Sequence, residues 1–237
     1  MGLKALVIED SLVFQKIMSA VLEEIGGVDE IKVASLGRQG LSLIDSFAPD
    51  VIFLDLHLPD MDGMDILEKL KCMDRKHRVV VVSGMSSEGA DLTIQALSKG
   101  AQQFISKPSG GGFQASVNQL REDLGPVLRT VAMQVGTRLQ ERVARPVAEA
   151  AVGPKSVPTG LEAPANPRPA IPGSMISPPR EGVWITAIAV STGGPQALQQ
   201  IIPKLPANYP VPVVMVQHMP PLFTESLAQS LDRKSQV

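Results

Sequence analysis

The sequence predicts an α/β fold: a five-stranded, doubly wound parallel sheet, a Pro-rich linker, and then the start of a second parallel α/β domain. From Leu3 to Pro108, short apolar runs alternate with longer segments of helical period. Runs such as Val79–Val82 are apolar on both alternating faces, as in parallel strands that helices cover on each side. The same alternation restarts near Val183. A chain of 237 residues is long enough for two such cores.

The first domain should contain five strands with helices between them. The five apolar runs are "ALVI", "IKVA", "VIFL", "VVVV" and "QFI". The helix after the first run has the clearest pattern, because Ser11 can cap it and Gly26-Gly27 can end it. Its apolar residues should form one stripe: Phe14, Ile17, Met18, Val21, Leu22 and Ile25. In such a sheet, functional residues gather at the carboxyl ends of the strands.

A second helical pattern and a change of composition separate the two domains. The helical pattern after Pro108 is long, and Gly125-Pro126 is expected to break or kink it. Between Pro146 and Pro179 lie nine of the chain's 20 prolines, which predicts a semi-extended linker. We therefore expect a first domain over residues 1–125, a helical arm and linker over 126–182, and part of a second domain over 183–237.

Composition narrows the class of protein. The formal net charge of -2 and pI near 5.9 give no general basic field, which argues against a nucleic-acid partner. The single cysteine, Cys72, excludes an intrachain disulfide framework and suits a reducing compartment. No leader pattern or membrane-length apolar run is visible. The expectation is a soluble, cytoplasmic protein without membrane insertion.

Polar residues close four of the five predicted strands. Glu9 and Asp10 follow the first strand, Asp55 closes the third, Ser83 the fourth and Lys107 the fifth. Three carboxylates at one sheet edge repel one another unless a hard cation compensates them, and Mg²⁺ prefers such oxygen ligands. Any single acid here is ordinarily a solvated strand end. Together with the hydroxyl and the lysine, the three acids form a set suited to phosphoryl transfer.

Residues 3 to about 122 resemble a response-regulator receiver domain, which has a flavodoxin-like fold. The motifs are "VIEDS", "VIFLDLHLPDMDG", "VVVVSGM" and "FISKPSGG". The resemblance implies that Asp55 accepts a phosphoryl group from a histidine kinase. It implies these Mg²⁺ ligands: Glu9, Asp10, Asp55 and the backbone carbonyl of His57. It implies these switch residues: Ser83, Phe104 and Lys107. It also implies a cis peptide bond between Lys107 and Pro108.

A serine and a histidine follow the two strands predicted in the second domain. Ser191 lies at a strand-to-helix turn with Gly193 and Gly194, where backbone amides could face an oxyanion, and His218 ends the next strand. The pair could be a nucleophile and its base. Equally, Ser191 could be a helix cap or part of a phosphate-binding turn, and His218 a satisfied core histidine. The residues alone leave these alternatives open.

"AVSTGGP" and "VQHMPPLFT", behind a receiver and a Pro-rich linker, resemble the chemotaxis protein-glutamate methylesterase family. The resemblance implies a nucleophile at Ser191, a base at His218, and Thr192 beside the nucleophile. It implies phosphorylation-regulated hydrolysis of glutamate methyl esters and deamidation of glutamines in chemoreceptors. The family's triad aspartate lies far downstream, whereas only Glu225 and Asp232 follow His218 here.

The expectation is accordingly a truncated chain that is inactive as given. The alternative is a non-enzymatic phosphoreceiver with a residual effector stump. Partners would be a chemotaxis histidine kinase and, for the enzyme, methylated chemoreceptors.

Overall fold

A computed structural model describes residues 2–73, 77–108, 110, 112–136, 182 and 184–235. The first domain contains one five-stranded sheet in the order β2-β1-β3-β4-β5, and every pairing in it is parallel. The strands are β1 (Leu3–Ile8), β2 (Val28–Ala34), β3 (Val51–Asp55), β4 (Val79–Ser83) and β5 (Gln103–Ser106). The predicted fold class is confirmed. Every residue of β3 and β4 is buried, as their unbroken apolar sequences predict.

Five helices cover the two faces of this sheet. They are α1 (Leu12–Ile25), α2 (Gly37–Phe47), α3 (Gly63–Lys71), α4 (Ser87–Lys99) and α5 (Gly112–Val135). Alternate residues of the central strands enter two apolar clusters, one shared with α1 and α5, the other with α2, α3 and α4. In α1 the predicted stripe is the buried face, and the Ser11 hydroxyl accepts a hydrogen bond from the Phe14 amide at 3.4 Å.

A break or a kink is expected at Gly125-Pro126, and the break is wrong, because α5 runs without interruption through Pro126. Proline inside a helix forfeits one hydrogen bond and commonly costs about 3 kcal/mol. The helix continues because its apolar face stays buried on both sides of the proline. Leu120, Leu124 and Leu128 are fully buried there, in the cluster shared with α1.

The second domain begins with a parallel β-α-β unit. Its elements are β6 (Thr186–Val190), α6 (Gly194–Ile201), a 3₁₀ turn (Ile202–Lys204), β7 (Val213–Gln217) and α7 (Pro221–Lys234). The two strands form a sheet of their own. Apolar side chains are exposed both just before β6 (Trp184 and Ile185) and within β7 (Val214, Met215 and Val216). The predicted linker, Pro146–Pro179, lies outside the described residues.

None of the helices in the described ranges is long and apolar enough to cross a lipid bilayer.

Candidate functional site

Three carboxylates meet where β1 and β3 end. Glu9 and Asp10 follow β1, Asp55 closes β3, and one oxygen from each lies within 4.8 Å of the others. Glu9 and Asp55 are 1% and 4% exposed, whereas Asp10 faces solvent. Adjacent parallel strands end at the same sheet edge, and that is why residues 45 positions apart in sequence are neighbours here. The cluster offers only hard oxygen ligands, which fit Mg²⁺.

Lys107 bridges the two buried carboxylates. Its Nζ lies 2.6 Å from Asp55 Oδ2 and 2.7 Å from Glu9 Oε2. Its backbone amide donates to the Ser83 carbonyl at 2.7 Å, which holds the lysine at the end of β5. The cis peptide expected between Lys107 and Pro108 is not found, since the peptide bonds of the described residues are all trans. The Lys107 ammonium therefore contacts Glu9 and Asp55 although the Lys107-Pro108 peptide bond is trans.

Burial and the contacts between Lys107 and the acids shift the pKa values of this cluster in opposite directions. Burial raises the pKa of the Glu9 carboxyl to about 7, the hydrogen bond from Lys107 opposes that rise, and the neighbouring Asp55 charge adds to it. Burial lowers the pKa of the Lys107 ammonium, but its hydrogen bonds and attraction to Asp55 and Glu9 outweigh burial and leave that pKa above its ordinary value. The lysine therefore stays charged beside the two acids.

The other residues expected in the receiver site surround Asp55. The His57 amide donates to Asp55 Oδ1 at 3.0 Å, while the imidazole is exposed. The buried Ser83 hydroxyl donates to the Gly89 carbonyl at 3.1 Å, at the start of α4. Phe104 is half-buried on β5. The predicted receiver residues thus lie at the same sheet edge as Asp55, except Phe104, which lies within β5 and is separated from β3 by β4.

Ser191 and His218 follow the paired strands β6 and β7, and the register sets Val190 opposite Gln217. The His218 amide donates to the Val190 carbonyl at 3.4 Å, and Gly193 relieves the serine turn with a φ of 77°. Both side chains are exposed and line one cavity of about 500 Å³. In the described part of the chain, no hydrogen bond joins the serine hydroxyl to the imidazole.

The receiver forms the opposite wall of this cavity, which we call the interdomain cavity. Phe104 from β5 and Gln119, Glu122 and Asp123 from α5 line it together with His218. Desolvation of the Asp123 carboxyl and the adjacent Glu122 charge raise its pKa, while the His218 charge opposes them. Sequence reasoning missed Asp123, because an acid on an exposed helical face carries no signal of which residue it will face in the folded protein.

Two further contacts join the domains. The rings of Phe104 and Phe223 stack with centroids 4.6 Å apart and planes inclined by 20°, and Phe223 is fully buried. Lys234 of α7 donates to the Ser98 hydroxyl of α4 across the interface at 2.7 Å, and to Gln199 Oε1 of α6, in its own domain, at 2.9 Å. These partners are 35 to 136 residues apart in sequence, so no local pattern could have indicated them.

Neither acid that follows His218 reaches the serine site. The Glu225 carboxylate accepts a hydrogen bond from Gln229 on the same helix at 3.4 Å. Asp232 lines a different cavity, beside Tyr209 and Met215. Asp123 of the receiver lines the same cavity as His218, and the His218 charge opposes the rise in the Asp123 pKa.

Comparisons with known proteins match both the first domain and the described start of the second domain. A model of the response regulator receiver domain matches residues 5–113, and a model of the CheB methylesterase matches residues 186–237. Proteins named protein-glutamate methylesterase/protein-glutamine glutaminase are similar over almost the whole chain. The one from Desulfotalea psychrophila is 34% identical over 240 residues, with 100% of this chain and 62% of that protein covered. The one from Bacillus subtilis is 36% identical over 235 residues, with 99% and 61% covered.

The chain therefore spans about three fifths of the length of these relatives. Among solved structures, the response regulator domain of Thermotoga maritima CheB is 26% identical and has a TM-score of 0.47. That alignment covers 54% of this chain and 98% of the solved one.

Proposed function

The chain belongs to the family of response regulators that join a receiver domain to a methylesterase domain, and from this premise we propose that it is a phosphorylation-regulated protein-glutamate methylesterase and glutamine deamidase. The observation that carries the proposal is the interdomain cavity. Ser191 and His218 lie on one of its walls, and the receiver's Phe104 lies on the other. A change in the receiver can therefore alter access to the serine.

In the receiver, Asp55 is the proposed phosphoacceptor. Its carboxylate oxygen attacks the phosphorus of a phosphohistidine on a chemotaxis kinase, the phosphorus–nitrogen bond breaks, and the kinase histidine takes a proton. A bound Mg²⁺, held by Glu9, Asp10, Asp55 and the His57 carbonyl, would offset the charge of the phosphoryl oxygens. Lys107, now 2.6 Å from Asp55, would pair with the phosphoaspartate. Ser83 would donate a hydrogen bond to a phosphoryl oxygen.

In the second domain, Ser191 is the proposed nucleophile and His218 its base. His218 takes the hydroxyl proton as Ser191 Oγ attacks the glutamate methyl ester, and returns that proton to the departing methanol. Water then cleaves the acyl-serine by the same route. With a glutamine substrate, ammonia leaves instead. The proposed substrates are the methylated cytoplasmic segments of chemoreceptors, which implies that the protein acts in the cytoplasm.

The test is methanol release from methylated receptor by the 237-residue chain and by any longer product of the same gene, with and without a small phosphodonor. We expect the longer product to release methanol in a reaction that Ser191→Ala abolishes and phosphorylation increases, and the 237-residue chain, in which neither Glu225 nor Asp232 lines the serine site, to release little or none. Release that persists in Ser191→Ala would contradict the assignment of the nucleophile. Release that phosphorylation leaves unchanged would contradict the regulatory role of the interdomain cavity.

A non-enzymatic phosphoreceiver remains the second candidate. It is favoured by the exposed serine and histidine, between which the described residues show no hydrogen bond, and by the fact that neither Glu225 nor Asp232 lines the cavity that holds Ser191 and His218. This alternative predicts Asp55 phosphorylation without any Ser191-dependent methanol release. Measuring Asp55 phosphorylation together with methanol release therefore separates the two candidates.

A further inference from the structure

One side chain ties together the two turns that carry Ser191 and His218. Gln217 is the last residue of β7, and its Nε2 donates to the backbone carbonyls of both Ser191 and His218, each at 3.1 Å. These carbonyls follow different strands of the two-stranded sheet. We propose that Gln217 is a positioning residue, whose amide fixes the serine turn relative to the histidine turn. The proposal rests on the function proposed above.

The space for this amide depends on a glycine. A Cβ added at Gly194 would lie 2.1 Å from Gln217 Oε1, so only a residue without a side chain leaves room for the amide in its observed place. The same Oε1 is buried and accepts no hydrogen bond from the described residues. A buried acceptor without a partner is unfavourable, and a glutamine at a strand end could avoid it by turning toward solvent. The amide keeps its place because both N–H groups are used there.

The clamp acts on the backbone of the serine turn. Because the peptide group is planar and trans, fixing the Ser191 carbonyl toward Gln217 turns the Thr192 N–H to the opposite side. That N–H is one of the turn amides available to an oxyanion. The Ser191 carbonyl also accepts the Gly194 amide at 2.8 Å, which closes the turn from the other side. Gln217 thereby sets both the distance between the two turns and the direction of a candidate oxyanion donor.

The diagnostic variant is Gln217→Glu in the whole 237-residue chain. The new carboxylate has the size of the amide but no donor, and it faces two carbonyl oxygens. When protonated it regains one O–H donor, so the clamp should be partly restored at low pH. Gln119→Glu is the matched control, because it adds the same charge to the same cavity from the receiver side, away from both turns. Gln217→Met removes the donors without adding charge and serves if the carboxylate disturbs folding.

The first measurement is the ¹³C shift of the Ser191 and His218 carbonyls, which reports hydrogen bonding without any turnover. We expect both signals to move upfield in Gln217→Glu at neutral pH, to return part of the way on acidification, and to stay in place in Gln119→Glu. In Gln217→Met they should move and show no pH-dependent return. Unchanged carbonyl shifts in both Gln217 variants would overturn the proposal.

The second measurement is the rate at which a fluorophosphonate labels Ser191, with Ser191→Ala as the blank. We expect a fall of about tenfold to hundredfold in Gln217→Glu, partly recovered at low pH relative to the pH profile of the parent, because small misplacements of a nucleophile cost about that much. A parent rate retained by a variant whose carbonyl signals have moved would refute the positioning role. If the parent itself is not labelled at Ser191, the proposed nucleophile fails, and the carbonyl shifts alone decide the clamp.

Discussion

Lys107 holds the two buried acids of the receiver close together. Without its ammonium, Glu9 and Asp55 would face each other as buried carboxylates. The lysine stabilises the resting arrangement and is already in place to pair with a phosphoryl group on Asp55. This dual contact is a property of individual atoms, and two predictions follow from it at the scale of the residue.

Asp55→Asn should abolish phosphorylation of the chain. With Mg²⁺ and a small phosphodonor, the parent should gain one acid-stable, base-labile phosphoryl group, because the metal ligands, the nucleophile and the lysine lie at one sheet edge. Lys107→Ala is the informative companion. It should still accept the group, yet the hydrogen-exchange response around Phe104 should be lost. Undiminished labelling of Asp55→Asn would overturn the assignment.

The metal-free chain should lose stability as the pH rises from about 4.5 to about 7. The pKa of Glu9 is raised in the folded state, so the folded protein binds a proton more tightly than the unfolded chain does in that window. A rise from 4.5 to about 7 corresponds to about 3 kcal/mol of unfolding free energy. Urea unfolding at several pH values measures it. Glu9→Gln should remove most of this slope, and a variant with the parent's slope would disprove the assignment to Glu9.

At the scale of the element, α5 continues through a helix-breaking proline because its apolar face is buried. Pro126 deprives the helix of one internal hydrogen bond, but the leucines on either side remain in the core. Pro126→Ala should restore the bond and stabilise the receiver by about 1 to 2 kcal/mol, after allowance for the greater entropy of the unfolded chain. Pro221→Ala is the matched control, because a proline at the first position of α7 forfeits no helical bond.

The midpoint of urea unfolding distinguishes the two substitutions. A Pro126→Ala midpoint equal to that of the parent would show that the Glu122 carbonyl, freed by the proline, is already satisfied in another way. A gain of equal size in Pro221→Ala would show that the effect comes from the unfolded chain.

At the scale of the whole molecule, the contact between the domains combines an apolar stack with a polar group on the surface. The stack of Phe104 on Phe223 connects β5 to α7, and the α4 side of the receiver core continues into residues of α6 and α7. The Lys234 hydrogen bonds to Ser98 and Gln199 lie at the edge of this contact. Separation of the domains therefore requires both the exposure of this apolar contact and the loss of the Lys234–Ser98 hydrogen bond.

Lys234→Met should loosen the domain contact without unfolding either domain. Losing the hydrogen bond to Ser98 should cost about 1 kcal/mol of the domain contact, which corresponds to about fivefold faster exchange of the α4 amides that open with the interface. Arg233→Met, one residue earlier on an exposed position, is the control. Equal protection of α4 in the parent and Lys234→Met would show that the domain contact does not depend on the Lys234 hydrogen bond to Ser98.

The sequence by itself determined the two α/β patterns, the stripe of α1 and the edge where Glu9, Asp10, Asp55 and Lys107 meet. Apolar periodicity reports burial directly, and parallel strands bring their ends to one edge, so these features need no knowledge of distant contacts. Only the tertiary structure decided that α5 continues through Pro126, since the buried surface that sustains the helix belongs to other elements. It alone also set Asp123 opposite His218 and Gln217 between the two turns. Such pairings depend on how separate elements pack, and periodicity along one segment contains no information about the partner it will meet.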